Sequence, residues 1–158
     1  MNPLIGKSGQ STHRLEDERL LKGKGRFIDN LNFKGQAYMS IVRSYSANAK
    51  INIKNTKEVK NRSGVLDVFT GNNLIEDKIL PIPITLPFKR PGGGSAISDP
   101  FHALSQGTVL YVGQPLAIVV AESLEQAIQA EESLEVEYEE YAAVTDLLEA
   151  TKTEAPLL

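Results

Sequence analysis

Histidine and cysteine carry much of the metal and nucleophile chemistry of proteins, and this chain has few of them. Its two histidines, His13 and His102, lie far apart in predicted loops, and it contains no cysteine. A metal centre of the zinc type needs three or four ligands in fixed geometry, so we predict that neither histidine binds a metal. The lack of cysteine excludes disulfides, iron–sulfur ligation and a cysteine nucleophile within these 158 residues.

Two glycine-rich stretches, Lys22–Gly25 and Gly92–Gly94, are candidates for phosphate binding. A phosphate loop connects a strand to the N-terminus of a helix, where backbone amides point at the anion. Neither stretch has that context, so we interpret both as turns or loops. No serine occupies a Gly-x-Ser-x-Gly elbow with a usable histidine.

Paired carboxylates on one predicted helix are the remaining candidates for acid–base chemistry. They are Glu122, Glu125, Glu131 and Glu132. An acid–base pair requires burial that separates the two pKa values, whereas helical periodicity places these side chains on the polar face. We therefore predict a scaffold that contains no catalytic, cofactor-binding or metal-binding residue.

The charge distribution is uneven, although the net charge is only −3. Basic residues predominate between residues 7 and 62, while residues 122–140 are rich in Glu and lack Lys and Arg. Two solvated faces are the simplest interpretation; mutual attraction of the halves, or an acidic partner, is the alternative. The basic residues are dispersed, so we do not expect nucleic-acid binding.

The longest apolar run, Leu116–Ala121, is far too short to span a bilayer. The N-terminus has no long apolar stretch of the kind found in signal peptides. These two features predict a soluble, cytoplasmic protein that does not enter a membrane.

The N-terminal half is predicted to form short elements separated by glycine turns. They are a mobile arm (residues 1–10), a helical turn Arg14–Leu21 ending at Gly23, a strand Gln36–Ser44, a strand Lys50–Lys54, a short helix Asn55–Arg62 ending at Gly64, and a strand Val65–Thr70 closed by Gly71. Because strand, helix and strand follow one another within about thirty residues, we expect them to form a crossover unit.

Residues 80–107 differ from the rest, since five prolines and Gly92–Gly94 make regular structure improbable there. Long loops of this kind are usually functional or mobile.

Order is predicted to return at Thr108. The expected elements are a strand Val109–Val112, a tight turn Gly113–Pro115, and a strand Leu116–Ala121 buried on both faces. A helix follows, capped by Ser123 and Gln126, and its apolar face consists of Leu124, Ala127, Ile128 and Leu134. A strand Glu135–Glu139 and a closing segment Ala142–Ala150 complete the chain's predicted elements. The sum is an α+β fold with a mixed sheet and two or more helices.

Three ordered segments carry a resemblance to a known family. They are Arg14–Asn30 with the Ile41–Ser44 strand, Ser63–Gly71, and Tyr111–Glu122 running into Val136–Glu139. Together they resemble the opening α/β-hammerhead domain of the molybdenum-carrying large subunit in the xanthine dehydrogenase, aldehyde oxidase and carbon monoxide dehydrogenase family. The resemblance covers nearly the whole chain, from about Ile5 to Ala150. We predict a single domain at residues 11–150, followed by a tail or the start of a linker at residues 151–158.

The resemblance implies a structural role for this stretch. Molybdopterin with its molybdenum would be bound by the remainder of the large subunit, and iron–sulfur clusters and FAD by partner subunits in a hetero-oligomer. The residues that match family motifs, and to which we assign structural roles, are Arg19, Gly23, Gly25, Asp29, Arg43, Gly64, Gly71, Gly113, Gln114 and Pro115.

Two functional hypotheses follow. In the first, the chain is a domain or split subunit of a molybdenum hydroxylase, not catalytic alone, and exposes a sizeable apolar patch where it meets the remainder. In the second, it is a stand-alone protein-binding module that uses the 80–107 loop for recognition. An independent enzyme is disfavoured, because no nucleophile–base set is present.

Overall fold

A computed structural model describes residues 14–83, 88–89, 92–94 and 100–156. The chain divides into two units, residues 1–36 and residues 37–158. The predicted N-terminal arm and His13 lie outside the described residues, as does much of the Pro/Gly-rich loop.

The described part of the first unit contains one short α-helix, α1 (Asp17–Leu21), and a 3-10 helix at Ile28–Asn30. Helix α1 ends as predicted at Gly23, whose φ is +66°. The Gly23 amide donates to the Leu20 carbonyl (3.0 Å) and the Lys24 amide to the Arg19 carbonyl (2.9 Å). This pair of bonds is a Schellman motif, which satisfies the last carbonyls of the helix.

The first sheet of the second unit consists of β1 (Tyr38–Arg43), β3 (Val65–Thr70) and β5 (Pro115–Ala121). The strand order is β1-β5-β3, and both pairs are antiparallel. The apolar run that the sequence identified as a buried strand therefore lies at the centre of this sheet.

The second sheet consists of β2 (Ala49–Ile53), β4 (Thr108–Val109) and β6 (Val136–Glu140). Its order is β4-β2-β6, again with antiparallel pairs. Strand β4 is shorter than the predicted Val109–Val112 strand, because the chain turns at Tyr111–Gln114 instead of continuing along β2.

Two helices connect the sheets: α2 (Thr56–Lys60) joins β2 to β3, and α4 (Leu124–Glu132) joins β5 to β6. The α+β fold class with several helices is confirmed. The expected crossover unit and mixed sheet are wrong, since each helix carries the chain from one sheet to the other and all the pairs formed by the six strands are antiparallel.

Helix α3 (Gly71–Glu76) was not predicted from the sequence. The Gly-Asn-Asn stretch after β3 indicates a turn, yet the Asn73 side chain accepts a hydrogen bond from the Thr70 amide at 2.8 Å and begins a helix. Near the C-terminus, a 3-10 helix spans Glu149–Thr151. Between residues 80 and 107 the described residues include an isolated bridge between Ile82 and Phe101.

The core has two clusters on one side of the first sheet. One joins Val42, Leu116 and Ala117 to the second sheet, and the other joins Val68 and Val119 to Val59 of α2 and Ala130 of α4. A bulge opposite Val42 and Arg43 places Leu116 outside the regular register, which allows Leu116 and Ala117 to enter the same cluster.

Two burial predictions need correction. Val119 is fully buried, but its neighbours Ile118 and Val120 are only partly buried, so β5 is covered on one face and not on both. In α4 the residues against the sheet are Ala127 and Ala130. Because these small side chains allow the helix to approach the sheet closely, the larger Leu124 and Ile128 remain exposed on its flank.

The N-terminal cap of α4 is as predicted, since Ser123 Oγ accepts from the Gln126 amide at 3.2 Å. The second half of the capping box is replaced, because the Gln126 side chain instead accepts from the Ser123 hydroxyl at 3.0 Å.

Candidate functional site

Four of the motif residues meet at the turn between β4 and β5. The Arg43 guanidinium donates to the Gly113 carbonyl at 2.9 Å, and the Ser44 backbone bonds on both sides of the turn, to Gly113 (2.7 Å) and Gln114 (2.9 Å). The Gln114 side chain accepts from the Leu110 amide at 2.7 Å. Pro115 follows as the first residue of β5. We call the arrangement of Arg43, Gly113, Gln114 and Pro115 the β1–β5 corner.

Ser105 extends this corner and was not identified from the sequence. Its amide donates to the Pro115 carbonyl (2.8 Å) and its hydroxyl to the Thr108 carbonyl (2.6 Å). A Cβ atom at Gly71 would lie 1.9 Å from the Ser105 carbonyl oxygen, so only glycine fits there. Two of the motif residues, Gly71 and Pro115, therefore meet at one buried serine. The surrounding loop composition gave no signal for it, because a serine in a Pro/Gly-rich stretch usually indicates an exposed turn.

Gly64 marks a second junction, between the α2–β3 turn and the start of α4. Its carbonyl accepts from the Glu122 amide at 2.9 Å. Its φ of +79° is a conformation that favours glycine, and a Cβ atom there would also meet the Gln126 side chain.

The other motif residues lie in the first unit, apart from the corner in sequence. Arg19 bonds Glu16 at 2.6 Å on the surface of α1, and Gly23 ends that helix. A Cβ atom at Gly25 would lie 3.2 Å from both Leu20 and Phe27. Asp29 is exposed in the 3-10 helix. These placements are consistent with structural roles, which stay predictions.

The contacts of the β1–β5 corner are backbone and amide contacts, not acid–base chemistry. A cleft of about 150 Å³ beside Gly71 is lined by hydroxyl, amide and apolar groups: Ile51, Asn52, Ile53, Thr56, Thr70, Asn72, Ser105 and Gly107 complete its wall. None of these residues carries a side chain that titrates near neutral pH. Among the described residues, no three His, Cys, Asp or Glu side chains are grouped to hold a metal ion.

The predicted carboxylate face of α4 is largely as expected. Glu122, Glu125 and Glu132 are exposed. Glu131 is the exception, because it is half-buried and accepts a hydrogen bond from Ser40 of β1 at 2.8 Å. His102 is half-buried and lines a shallow groove with Phe101 and Tyr111.

Two titratable groups are perturbed by their surroundings. The Lys60 ammonium, 2.7 Å from the Asp67 carboxylate, lowers the pKa of Asp67. Burial raises the pKa of Tyr138, whose ring lies 4.2 Å from that of Tyr45, centroid to centroid. Both are packing features between neighbouring elements, and neither pair forms a nucleophile with a base.

Large apolar side chains are exposed in several parts of the molecule. On the first sheet and α4 they are Met39, Leu66, Phe69, Leu124 and Ile128. Scattered exposed hydrophobic residues are normal, but contiguous ones usually indicate a contact surface. In the part of the chain that the structure describes, no helix has the length and hydropathy to cross a membrane.

Two three-stranded antiparallel sheets joined by helices, with a hydrogen-bonded corner at the turn before β5, define an α+β domain of the hammerhead class. Residues 22–142 match the family model described as the a/b hammerhead domain of aldehyde oxidase and xanthine dehydrogenase. The chain belongs to this family.

The relatives are large chains of oxidoreductases. The chain is 32% identical over 150 residues to the carbon monoxide dehydrogenase large chain of Afipia carboxidovorans, a match that covers 95% of this chain and 17% of that one. The Cu,Mo-CO dehydrogenase in its carbon monoxide reduced state has a TM-score of 0.78 at 31% identity, covering 95% of this chain and 18% of that one. Quinoline 2-oxidoreductase from Pseudomonas putida 86 has a TM-score of 0.79 at 33% identity, covering 93% and 18%. The chain thus spans less than a fifth of the length of the relatives it matches.

Proposed function

We propose that this chain is a structural domain or split subunit of a molybdenum hydroxylase, and that it packs against the molybdopterin-binding part of the large subunit without being catalytic alone. The observation that carries the proposal is the coverage. Nearly all of this chain aligns with the relatives, yet it accounts for only 17% of the carbon monoxide dehydrogenase large chain.

The geometry of the β1–β5 corner supports a scaffold role. Its polar groups are paired with backbone groups at short distances, as in a rigid junction. A site that binds and transforms a substrate would instead need free polar groups converging on a pocket. The arrangement can hold strands and turns in position, which is the contribution we assign to this domain.

We assign the cofactors to other polypeptide segments. The described residues offer no ligand set for a metal, and one of the solved relatives is a copper- and molybdenum-containing dehydrogenase. We propose that molybdopterin is bound by the remainder of the large subunit and that iron–sulfur and FAD subunits complete a hetero-oligomer. The cytoplasmic location stays a prediction, which cell fractionation would test.

The test is to purify the tagged chain from the source organism and identify the proteins that accompany it by mass spectrometry, with molybdenum and iron analysis. We expect a molybdopterin-binding chain, an iron–sulfur chain and molybdenum in stable proportion to the tagged chain. An unrelated protein carrying the same tag is the control. If the chain is recovered alone and without metal, the proposal is wrong.

The alternative, a stand-alone binding module, predicts a different result. A partner that lacks molybdenum would be recovered, and deletion of Pro87–Ser95 would abolish its binding. Much of that segment lies outside the described residues. A partner retained after the deletion would contradict the recognition role of the loop.

A further inference from the structure

One face of the first sheet is apolar and remains partly open. It is formed by side chains that point away from α4, and we call it the outer face: Met39 and Ile41 of β1, Ile118 and Val120 of β5, and Phe69 of β3. Met39 is 54% exposed and Phe69 39% exposed, and the other three are half-buried.

The register shows that these side chains are contiguous. Ile41, Ile118 and Phe69 lie opposite one another across the three strands, and Met39 lies opposite Val120 in the next row. Directly opposite residues on one face of a sheet have Cβ atoms about 5 Å apart. The outer face is therefore one apolar surface without a charged side chain at its centre.

Among the described residues of this sheet, charged groups lie only at the edges of this surface. Asp67, opposite Val120 on β3, is already paired with Lys60. Arg43, at the end of β1, is engaged with the Gly113 carbonyl. A face with an apolar centre, a methionine and an aromatic side chain has the composition of the centre of a permanent interface.

The sequence of β5 indicates that this face is normally covered. A strand with one face in water alternates apolar and polar residues, whereas Leu116–Ala121 is apolar at every position. The inner side chains Val119 and Ala121 are fully buried by this chain, while Ile118 and Val120 are not. Apolar residues at these outer positions are typical of a face that is buried. The described residues do not bury this face completely, so another polypeptide segment is expected to cover it.

We propose that the outer face packs against the molybdopterin-binding remainder of the large subunit. This inference rests on the function proposed above and names the surface involved. Length favours this occupant: the chain corresponds to 18% of the solved Cu,Mo-CO dehydrogenase chain at a TM-score of 0.78, so in that protein most of the polypeptide lies outside the matching domain and belongs to the same chain. Permanent interfaces bury apolar surface as a domain core does, which fits the apolar composition of the outer face.

Met39 provides a direct probe of this surface, because it is one of only two methionines in the chain. Methionine oxidation follows exposure. Hydrogen peroxide should oxidise Met39 at least about tenfold more slowly in the complex purified from the source organism than in the chain alone, as measured by peptide mass spectrometry. Free methionine added to both samples controls for the oxidant.

Two variants test the same surface by binding. Met39→Asp and Phe69→Asp place a carboxylate on the outer face at exposed positions, and each should lower the molybdenum recovered with the tagged chain by about tenfold or more. Leu147→Asp is the matched control, since Leu147 is 82% exposed in a different part of the chain. It should recover as much molybdenum as the unaltered chain. Circular dichroism establishes that each variant is folded.

The outcomes separate the two proposals. If the complex forms but Met39 is oxidised at the rate of the free chain, or if both outer-face variants retain molybdenum, the docking surface is wrong and the proposed function stands. If no molybdopterin-binding chain accompanies the unaltered protein, the proposed function fails and this inference fails with it. Protection of Met39 that rises with the concentration of the chain alone would identify a second copy as the occupant and overturn the inference. If the outer-face variants do not fold, the Met39 oxidation rate decides alone.

Discussion

The inner and outer faces of the first sheet both carry apolar residues, but they differ in how completely they are buried. On β5, the inner residues Ala117, Val119 and Ala121 are fully buried under α4 and the second sheet, whereas the outer residues Ile118 and Val120 are only partly covered. Apolar composition therefore shows that a face is to be buried, but not by which polypeptide segment. The inner face explains how this chain folds, and the outer face is the surface that we propose meets another polypeptide segment.

The most severe test of this comparison is the same charge placed on each face. Val119→Asp would bury an unpaired carboxylate between Val68 and Ala130, and we expect it to lower the free energy of unfolding by more than about 4 kcal/mol and to unfold the domain. Met39→Asp, on the exposed side of β1, should cost less than about 1 kcal/mol. Urea denaturation followed by circular dichroism measures both.

A folded Val119→Asp protein would show that β5 is not the central buried strand. Equal destabilisation by Met39→Asp would show that the outer face is already closed within this chain, and would remove the basis for a docking surface.

The second test concerns the close packing that seals the inner side near the β1–β5 corner. In Gly71→Ala the new methyl would lie 1.9 Å from the Ser105 carbonyl oxygen, so a backbone segment has to move. Overpacking of this kind costs about 1–3 kcal/mol. Gly25→Ala is the control, because its φ is not positive and the added Cβ would meet only side-chain atoms of Leu20 and Phe27 at 3.2 Å, and it should cost about 1 kcal/mol or less. A Gly71→Ala protein as stable as the unaltered chain would contradict the observed contact with Ser105.

The sequence predicts the positions of most strands, but not how they pair. Local sequence patterns, including the continuous apolar run of β5, placed β1, β2, β3, β5 and β6 within a few residues of their observed bounds. Their assignment to two sheets depends on contacts between distant segments, such as Ile51 of β2 opposite Tyr138 of β6. Strand–helix–strand spacing suggested a crossover, and only the tertiary register shows that α2 and α4 each connect different sheets.

The candidate site shows the same limit. The family-like residues Arg43 and Gly113 are recognisable from their motifs, and they do meet. Ser105, which binds the Pro115 carbonyl and fixes the need for glycine at position 71, has no local signature because it follows an irregular Pro/Gly-rich stretch. Periodicity predicts that Leu124 and Ile128 lie on the buried side of α4. In the structure Ala127 and Ala130 are buried there instead, and Leu124 and Ile128 are exposed.

A third, smaller effect is expected where α4 is bonded to the inner side of β1. Ser40→Ala removes the 2.8 Å hydrogen bond to Glu131 and should lower the free energy of unfolding by about 1 kcal/mol, since a partly exposed carboxylate regains water. Glu131→Ala and the double variant complete a double-mutant cycle, which isolates the pairwise energy. A coupling energy near zero would mean that this bond does not help to attach the helix.

The smallest effect is expected at the edge of the outer face, in the ion pair between Lys60 and Asp67. The Lys60 ammonium lowers the pKa of Asp67 below that of the unfolded chain, so the pair stabilises the folded state above that unfolded value, and this contribution is lost as the pH falls through the folded pKa. Lys60→Met should raise the Asp67 pKa, observed by NMR titration of its carboxyl carbon, and reduce stability at neutral pH by less than about 1 kcal/mol, because both side chains are partly in water. The stability difference should disappear in acid.

Lys54→Met, which breaks the comparable pair with Glu137, is the control and should leave the Asp67 pKa unchanged. If the Asp67 pKa does not respond to Lys60→Met, the pair does not persist in solution, and the edge of the outer face carries a free carboxylate that a docking partner would have to accommodate.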